Sequence, residues 1–412
     1  MTNWKEYRFG DIAEIVMGQS PKGETCNESG IGFPLLNGPT EFTAFYPLPT
    51  QYTTDPKRFS ETNDLLFCVR GSTTGKMNWS DQKYAIGRGI GAIRHRNGAK
   101  LNHFVKGIIE YHLPTLLQSA TGSTFPNVSR EQLNGLKIKA PDLPTQIAIA
   151  EILSSLDDKI ELNNKINQEL ENLAQTIFKQ WFIDFEFPNE NGEPYKSSGG
   201  EMVDSELGEI PKGWEVGAIE ALTTKMNSGG TPSTRNSDFY DGEILWYSTK
   251  ELKDNFMFES DRTLTINGLN SSSAKLFPAY TVVMAIYAAP TVGRLGILNQ
   301  EAAFNQAALG FVAKEEVGYE FIYLLLKFLR DDFNNLANGA AQQNLNVGLV
   351  KNYKILMPLI ESLRNFKSLM KPIFESIKNN QLENNFLTNL RDTLLPKLIS
   401  GELEVSQIQT TS

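Results

Sequence analysis

Residues 145–183 read TQIAIAEILSSLDDKIELNNKINQELENLAQTIFKQWFI, a run with no glycine or proline. Ile149, Leu153, Leu156, Ile160, Asn163, Asn167, Leu170, Ala174, Ile177 and Trp181 recur in it at alternating steps of four and three. That is the seam spacing of a coiled coil. A helix over this stretch is roughly 58 Å long at 1.5 Å per residue, and so long an apolar stripe needs a partner. The chain supplies one near its C-terminus, where the seam reads Phe366, Met370, Ile373, Ile377, Asn380, Asn384, Leu387, Arg391, Leu394 and Leu398. Every position lies 217 after its counterpart, and both seam asparagines, Asn163 and Asn167, recur as Asn380 and Asn384. Polar seam residues fix register, so these four are candidates for that role. The chain reads as two copies of one unit, each closed by a long helix. Pro372, inside the second helix, and Arg391, in its seam, are expected to limit the coiled coil at those ends.

A length of 412 residues suits two or three domains with cores of their own. The first unit, 1–144, alternates apolar runs with turn signals: AEIVMG, DLLFCVRG, KYAIG, GAIRHRNG and LKIKAP read as short strands, and 102–119 as a helix with Pro114 as its weak point. The long helix follows at 145–183. Residues 184–213, rich in Gly, Pro, Ser and charge, read as a linker. The second unit, 214–360, repeats the plan before the helix at 361–400. Pro232 answers Pro21, Gly293-Arg294 answers Gly75-Lys76, and NGAAQQNLN after Ala337 answers TGSTFPNVS after Ala120. The fold class is therefore α+β, with two similar mixed α/β domains and an internal repeat.

The net charge of −9 is unevenly spread. Residues 1–144 carry +3, whereas 145–210 carry −10, so the acidity sits on the first long helix and the segment behind it. An acidic rod between less acidic domains is compatible with nucleic acid bound at the domains. MTNWKEYRFGDIAEI has no apolar signal core and no apolar run reaches membrane length, which points to the cytoplasm. Cys26 and Cys68 have neither disulfide-framework nor metal spacing, and suit a reducing compartment.

Catalytic motifs fail on spacing or context. Gly71-Ser72-Thr73-Thr74-Gly75-Lys76-Met77 has one residue too few between its glycines for a phosphate loop, and Met77 cannot hold magnesium. Gly87-Arg88-Gly89-Ile90-Gly91 is followed by a strand pattern and an Asn-Gly turn, not by the helix a dinucleotide loop needs, so it reads as a tight turn in a sheet. Pro141-Asp142 with Asp157-x-Lys159 mimics a nuclease core, but Asp157 and Lys159 flank the helix seam, where a solvated charged face is expected. His95, His103 and His112 form no short metal pair, and the chain has no Pro-Pro for an amino-methyltransferase loop.

Binding chemistry is better represented. Gln19, Ser20 and Lys22 lie on one Gly/Pro loop, Arg70, Thr73, Thr74 and Lys76 on another, and Arg88, Arg94 and Arg96 near a third. In the second unit SGGTPSTRN offers Ser228, Thr231, Ser233 and Arg235, and other loops add Arg294, Gln306, Gln342 and Gln343. Such side chains hold phosphates and read base edges. They are the candidate DNA-binding residues.

At this point the chain resembles the DNA-specificity subunits of Type I restriction–modification systems over nearly its whole length. SELGEIPKGWEV (205–216), IAEILSSLDDKIELN (149–163), WFIDFEFPNENGEPYKSSGGEMV behind the first helix and LLPKLISGEL (394–403) carry the likeness. The resemblance implies a recognition subunit that is not itself an enzyme. It implies two target-recognition domains, a bipartite double-stranded DNA target, and two long helices paired antiparallel. The implied partners are two methyltransferase subunits and an ATP-dependent translocase–nuclease (the restriction subunits). S-adenosylmethionine, ATP and magnesium would then belong to those partners, with no cofactor in this chain. Two alternatives stay open: the recognition subunit of a related system with a fused nuclease–methyltransferase partner, and a coiled-coil scaffold that binds no DNA.

Overall fold

The computed structural model describes residues 4–119, 126–287, 292–338 and 344–405. The chain divides into two compact units, residues 1–162 with 383–412 and residues 163–382. Each unit therefore contains part of both long helices, Leu143–Phe182 and Ile360–Ser400.

In the first unit, strands Ala13–Met17, Ile90–His95, Leu65–Cys68 and Met77–Trp79 form an antiparallel sheet in that order. Successive side chains of a strand face opposite sides, and Leu65–Cys68 shows the consequence. Leu65 and Phe67 enter one core with Phe9, Phe104, Ile108, Ile149, Leu153 and Leu398. Leu66 enters another, with Leu36, Tyr84, Ile86 and Ala92. The strand is wholly buried because helices cover one face and a second sheet covers the other. That second sheet has the order Cys26–Asn27, Gln51–Thr53, Phe33–Leu36, Ala85–Ile86, its last pair parallel. Lys5–Arg8 pairs with Lys137–Ala140, and the latter strand leads into the first long helix. The helix Asn102–Ser119 continues through Pro114.

The second unit repeats this plan. Thr223–Ser228, Ala308–Ala313, Val282–Ala285 and Leu295–Leu298 stand in the same order, extended by Asn255–Met257 in parallel with the last of them. Val282 and Met284 face the helix-side core, Val283 and Ala285 the other. Tyr240–Tyr247 pairs in parallel with Ala303–Phe304, and Glu215–Ala218 pairs antiparallel with Lys354–Met357, as their first-unit equivalents do.

Within each unit the long helices run antiparallel. Ile149 and Leu153 share a core with Leu395, Leu398 and Ile399, while Asp157 meets Arg391. In the second unit Asn380 Nδ2 donates to Asn167 Oδ1 at 2.8 Å, Asn167 Nδ2 donates to the Ile377 carbonyl at 3.3 Å, and Phe182 packs on Phe366. Asn167 and Asn380, two of the four candidate register residues, are thus bonded to each other. Asn163 is buried and Asn384 half-buried. Pro372 does not break the second helix.

Two expectations are corrected. The stretch 184–213 is ordered: Phe185, Phe187 and Ile210 join the second core beside Trp214, and Met202–Ser205 forms a hairpin with Gly208–Pro211. Asp157 is no solvated residue but is 4 % exposed. Its carboxylate takes Arg391 Nη1 at 2.8 Å and Lys106 Nζ at 3.1 Å, with His103 Nδ1 at 3.6 Å. Burial raises its pKa, but the His103 ring and the Lys106 and Arg391 charges outweigh burial and hold it well below the carboxylate range.

Candidate nucleic-acid interface

Antiparallel order decides which loops meet. Ala13–Met17 and Leu65–Cys68 end where Ile90–His95 and Met77–Trp79 begin. Residues 18–22, 69–76 and 87–89 therefore leave one end of the first sheet together. Gly18 N donates to the Ile90 carbonyl, Gln19 N to that of Ile86, and Val69 N to that of Gly89. This packing is backbone on backbone. A Cβ at Gly18 would fall 2.2 Å from the Gly87 carbonyl oxygen, so any side chain there would force the loops apart.

On this end Gln19, Lys22, Arg70, Lys76 and Arg88 are exposed, with Ser20 half-buried among them. Ser20 Oγ accepts from the Arg88 backbone N–H at 3.3 Å and from its Nε at 3.4 Å. Thr73 and Thr74 are turned inward. The Thr74 hydroxyl bonds the carbonyls of Gly71 and Pro126, both at 2.8 Å, and Thr73 Oγ1 stands 3.5 Å from Cys68 Sγ. They hold the loop's shape and leave its surface to Arg70 and Lys76.

Arg94 departs from the expected cluster. It lies near the other end of its strand, where Nη2 donates to Asp64 Oδ2 at 2.6 Å. Arg96 likewise gives Nε and Nη2 to the Gly10 carbonyl. Both tie the far end of the sheet together. One residue was missed: Asn37, exposed beside the Arg88 turn, gives Nδ2 to Gln51 Oε1 at 3.0 Å. Its Asn37-Gly38 pair reads only as a turn, so the sequence carried no binding signal for it.

The second unit gathers the matching loops. Gly229 N donates to the Ala308 carbonyl and Gly230 N to that of Phe304, and a Cβ at Gly229 would meet the Phe304 oxygen at 2.0 Å. Thr231 Oγ1 donates to Gln306 Oε1. The Tyr240 hydroxyl and Trp246 Nε1 anchor the carbonyls of Pro232 and Gly230. Ser233, Arg235 and Gln306 are exposed, Ser228 and Thr231 half-buried. Arg294 follows Gly293 (φ 79°) as Lys76 follows Gly75 (φ 96°), at the start of equivalent strands. Gln342 and Gln343 lie outside the described residues.

The histidines serve the structure. Asn97 N donates to His95 Nδ1 at 3.0 Å, so the proton sits on Nε2, which faces Gln146 Oε1 at 3.0 Å. Burial lowers the pKa of His95, with Gln146 opposing, and burial lowers that of His112. Among the described residues no group of three or more His, Cys, Asp or Glu side chains could hold a metal ion, and no helix is long and apolar enough to cross a membrane.

The sequence model described as the Type I restriction modification DNA specificity domain matches the chain twice, over residues 1–172 and 211–389. The HindI specificity subunit of Haemophilus influenzae is 27 % identical over 469 aligned residues, which cover 98 % of this chain and 100 % of that one. The MjaIX specificity subunit of Methanocaldococcus jannaschii is 32 % identical over 297, covering 70 % of this chain and 65 % of that one. Among solved structures, a Type I restriction–modification S subunit from M. genitalium matches with a TM-score of 0.62 at 16 % identity. It covers 97 % of this chain and 96 % of its own, a likeness of fold.

Proposed function

Because the chain belongs to the Type I restriction–modification DNA-specificity family, we propose that it is the specificity subunit of such a system, reading a bipartite duplex target with one loop cluster per half-site. The observation that carries this is the duplication of the cluster. Both units bring the same three loops to the same end of the same sheet, packed through the same glycine, and cover them with cationic, amide and hydroxyl side chains. Lys22, Arg70, Lys76 and Arg88 in the first unit, and Arg235 and Arg294 in the second, suit phosphates and base edges. The chain is a non-catalytic, cytoplasmic recognition subunit. The methyl transfer and ATP-driven cleavage belong to two methyltransferase subunits and to restriction subunits that dock on it, and these hold S-adenosylmethionine, ATP and magnesium.

The isolated chain should bind duplex DNA with an affinity that falls steeply as salt rises, by about 0.9 in the logarithmic slope per phosphate contact. With magnesium, ATP and S-adenosylmethionine added, it should neither cut nor methylate. Turnover by a clean preparation would overturn the non-catalytic assignment. Absence of DNA binding at low salt would favour a protein-only scaffold.

A further inference from the structure

Arg88 and Gln306 occupy the same place in the repeat. Each is the middle residue of the turn that opens a central strand: Gly87-Arg88-Gly89 before Ile90–His95, and Asn305-Gln306-Ala307 before Ala308–Ala313. Each is met by a hydroxyl two residues beyond the packing glycine: Ser20 beyond Gly18 on Arg88, Thr231 beyond Gly229 on Gln306. The turns reach this arrangement by different local means. A Cβ at Gly87 would stand 2.3 Å from Asn37 Oδ1, so that turn is pressed against its neighbour. In the second turn Asn305 Oδ1 accepts from Ala307 N at 3.1 Å. The shared outcome is an exposed planar side chain steered by a hydroxyl from the next loop.

We infer that Arg88 and Gln306 are the paired base readers of the two half-sites, Arg88 taking a guanine and Gln306 an adenine in the major groove, with Ser20 and Thr231 as positioning residues. This rests on the reading of the chain as a DNA-specificity subunit. Guanine presents two acceptors, N7 and O6. An arginine held through Nε keeps both terminal amino groups for them. Adenine presents an acceptor at N7 and a donor at N6, which a primary amide matches. The amide oxygen has two lone pairs, so accepting from Thr231 leaves one for N6. An exposed arginine alone could equally anchor a phosphate, which carries no sequence information. Its equivalent, however, is an uncharged glutamine, a poor phosphate anchor and a good reader. The common property of the pair is bidentate base recognition.

The test uses the full chain in complex with methyltransferase subunits and S-adenosylmethionine, acting on a plasmid library of randomised sequence. Arg88→Gln should change guanine to adenine at one position of one half-site, the preference for the old base falling roughly 10- to 100-fold. The other half-site and the gap should stay as they are. Gln306→Arg should do the reverse in the other half-site. Ser20→Ala and Thr231→Val should keep the motif and weaken discrimination at those same positions, which loss of a phosphate contact would not do. All four variants should melt with the wild type, since they alter surface loops. If Arg88→Gln depresses methylation of every site evenly, Arg88 is a phosphate anchor and the inference falls while the specificity role stands. If the wild-type complex yields no bipartite motif, both fall.

Discussion

Replacing Asp157 with alanine is expected to cost the first unit about 3–5 kcal/mol, the usual penalty for removing one partner of a buried ion pair. Asp157 is buried on the first long helix and faces the Lys106 and Arg391 cations, from the helix Asn102–Ser119 and the second long helix, with the His103 ring beside them. Lys106 keeps Glu110 at 3.1 Å, whereas Arg391 is left with the exposed Asp392. The sign with pH follows from the depressed folded pKa. A carboxyl held below its unfolded value of about 3.9 contributes stability that is complete above that pH and lost as pH falls through the folded value. Acidification below about pH 4 should therefore loosen the wild-type unit, and Asp157→Ala should flatten that dependence. Amide exchange along Ile90–His95 in the full chain reports on this unit alone. A loss under about 1 kcal/mol would show that the cluster is solvated after all.

The corresponding change in the second unit is Phe366→Ala, also expected to cost about 3–5 kcal/mol. Phe366 is fully buried, with ring centroids 4.8 Å from Phe182, 5.6 Å from Trp181, 6.1 Å from Phe178 and 6.2 Å from Phe321. Truncation removes its transfer free energy and leaves a cavity that four rings on two other helices cannot easily close. Phe366→Leu fills part of that space and should cost less than half as much. Exchange along Val282–Ala285 gives the measure. Equal losses for the two variants would mean that apolar volume alone recovers nothing and that the ring contacts themselves carry the stability.

The seam was legible because a helix reports its buried face every three or four residues. Every seam position named on either helix is sheltered in the structure, whereas Leu162, Ile166 and Leu173 between them are exposed. Short strands were legible where alternation or a fully apolar run met a turn, as at Ala13–Met17 and Leu65–Cys68. The segment 184–213 was misread because Phe185, Phe187 and Ile210 follow no period; their partners are helix ends and Trp214. Asp157 sits in an Asp-Asp-Lys run that reads as a charged surface, and its counter-charges come from residues 51 and 234 positions away. At the interface the sequence supplied the loops and their chemistry. It could not supply the Ser20–Arg88 contact, whose partners lie 68 residues apart, or the inward turn of Thr74. It also could not show that Arg94 is held by Asp64 at the far end of its strand.

Each unit is expected to read its own half of one target. Residues 1–142, ahead of the helix that begins at Leu143, can be exchanged for those of a relative with a different target, and the methylated motif of the whole complex mapped across a genome. One half-site should become the relative's while the other half-site keeps its sequence. A change in both halves, or in neither, would contradict it.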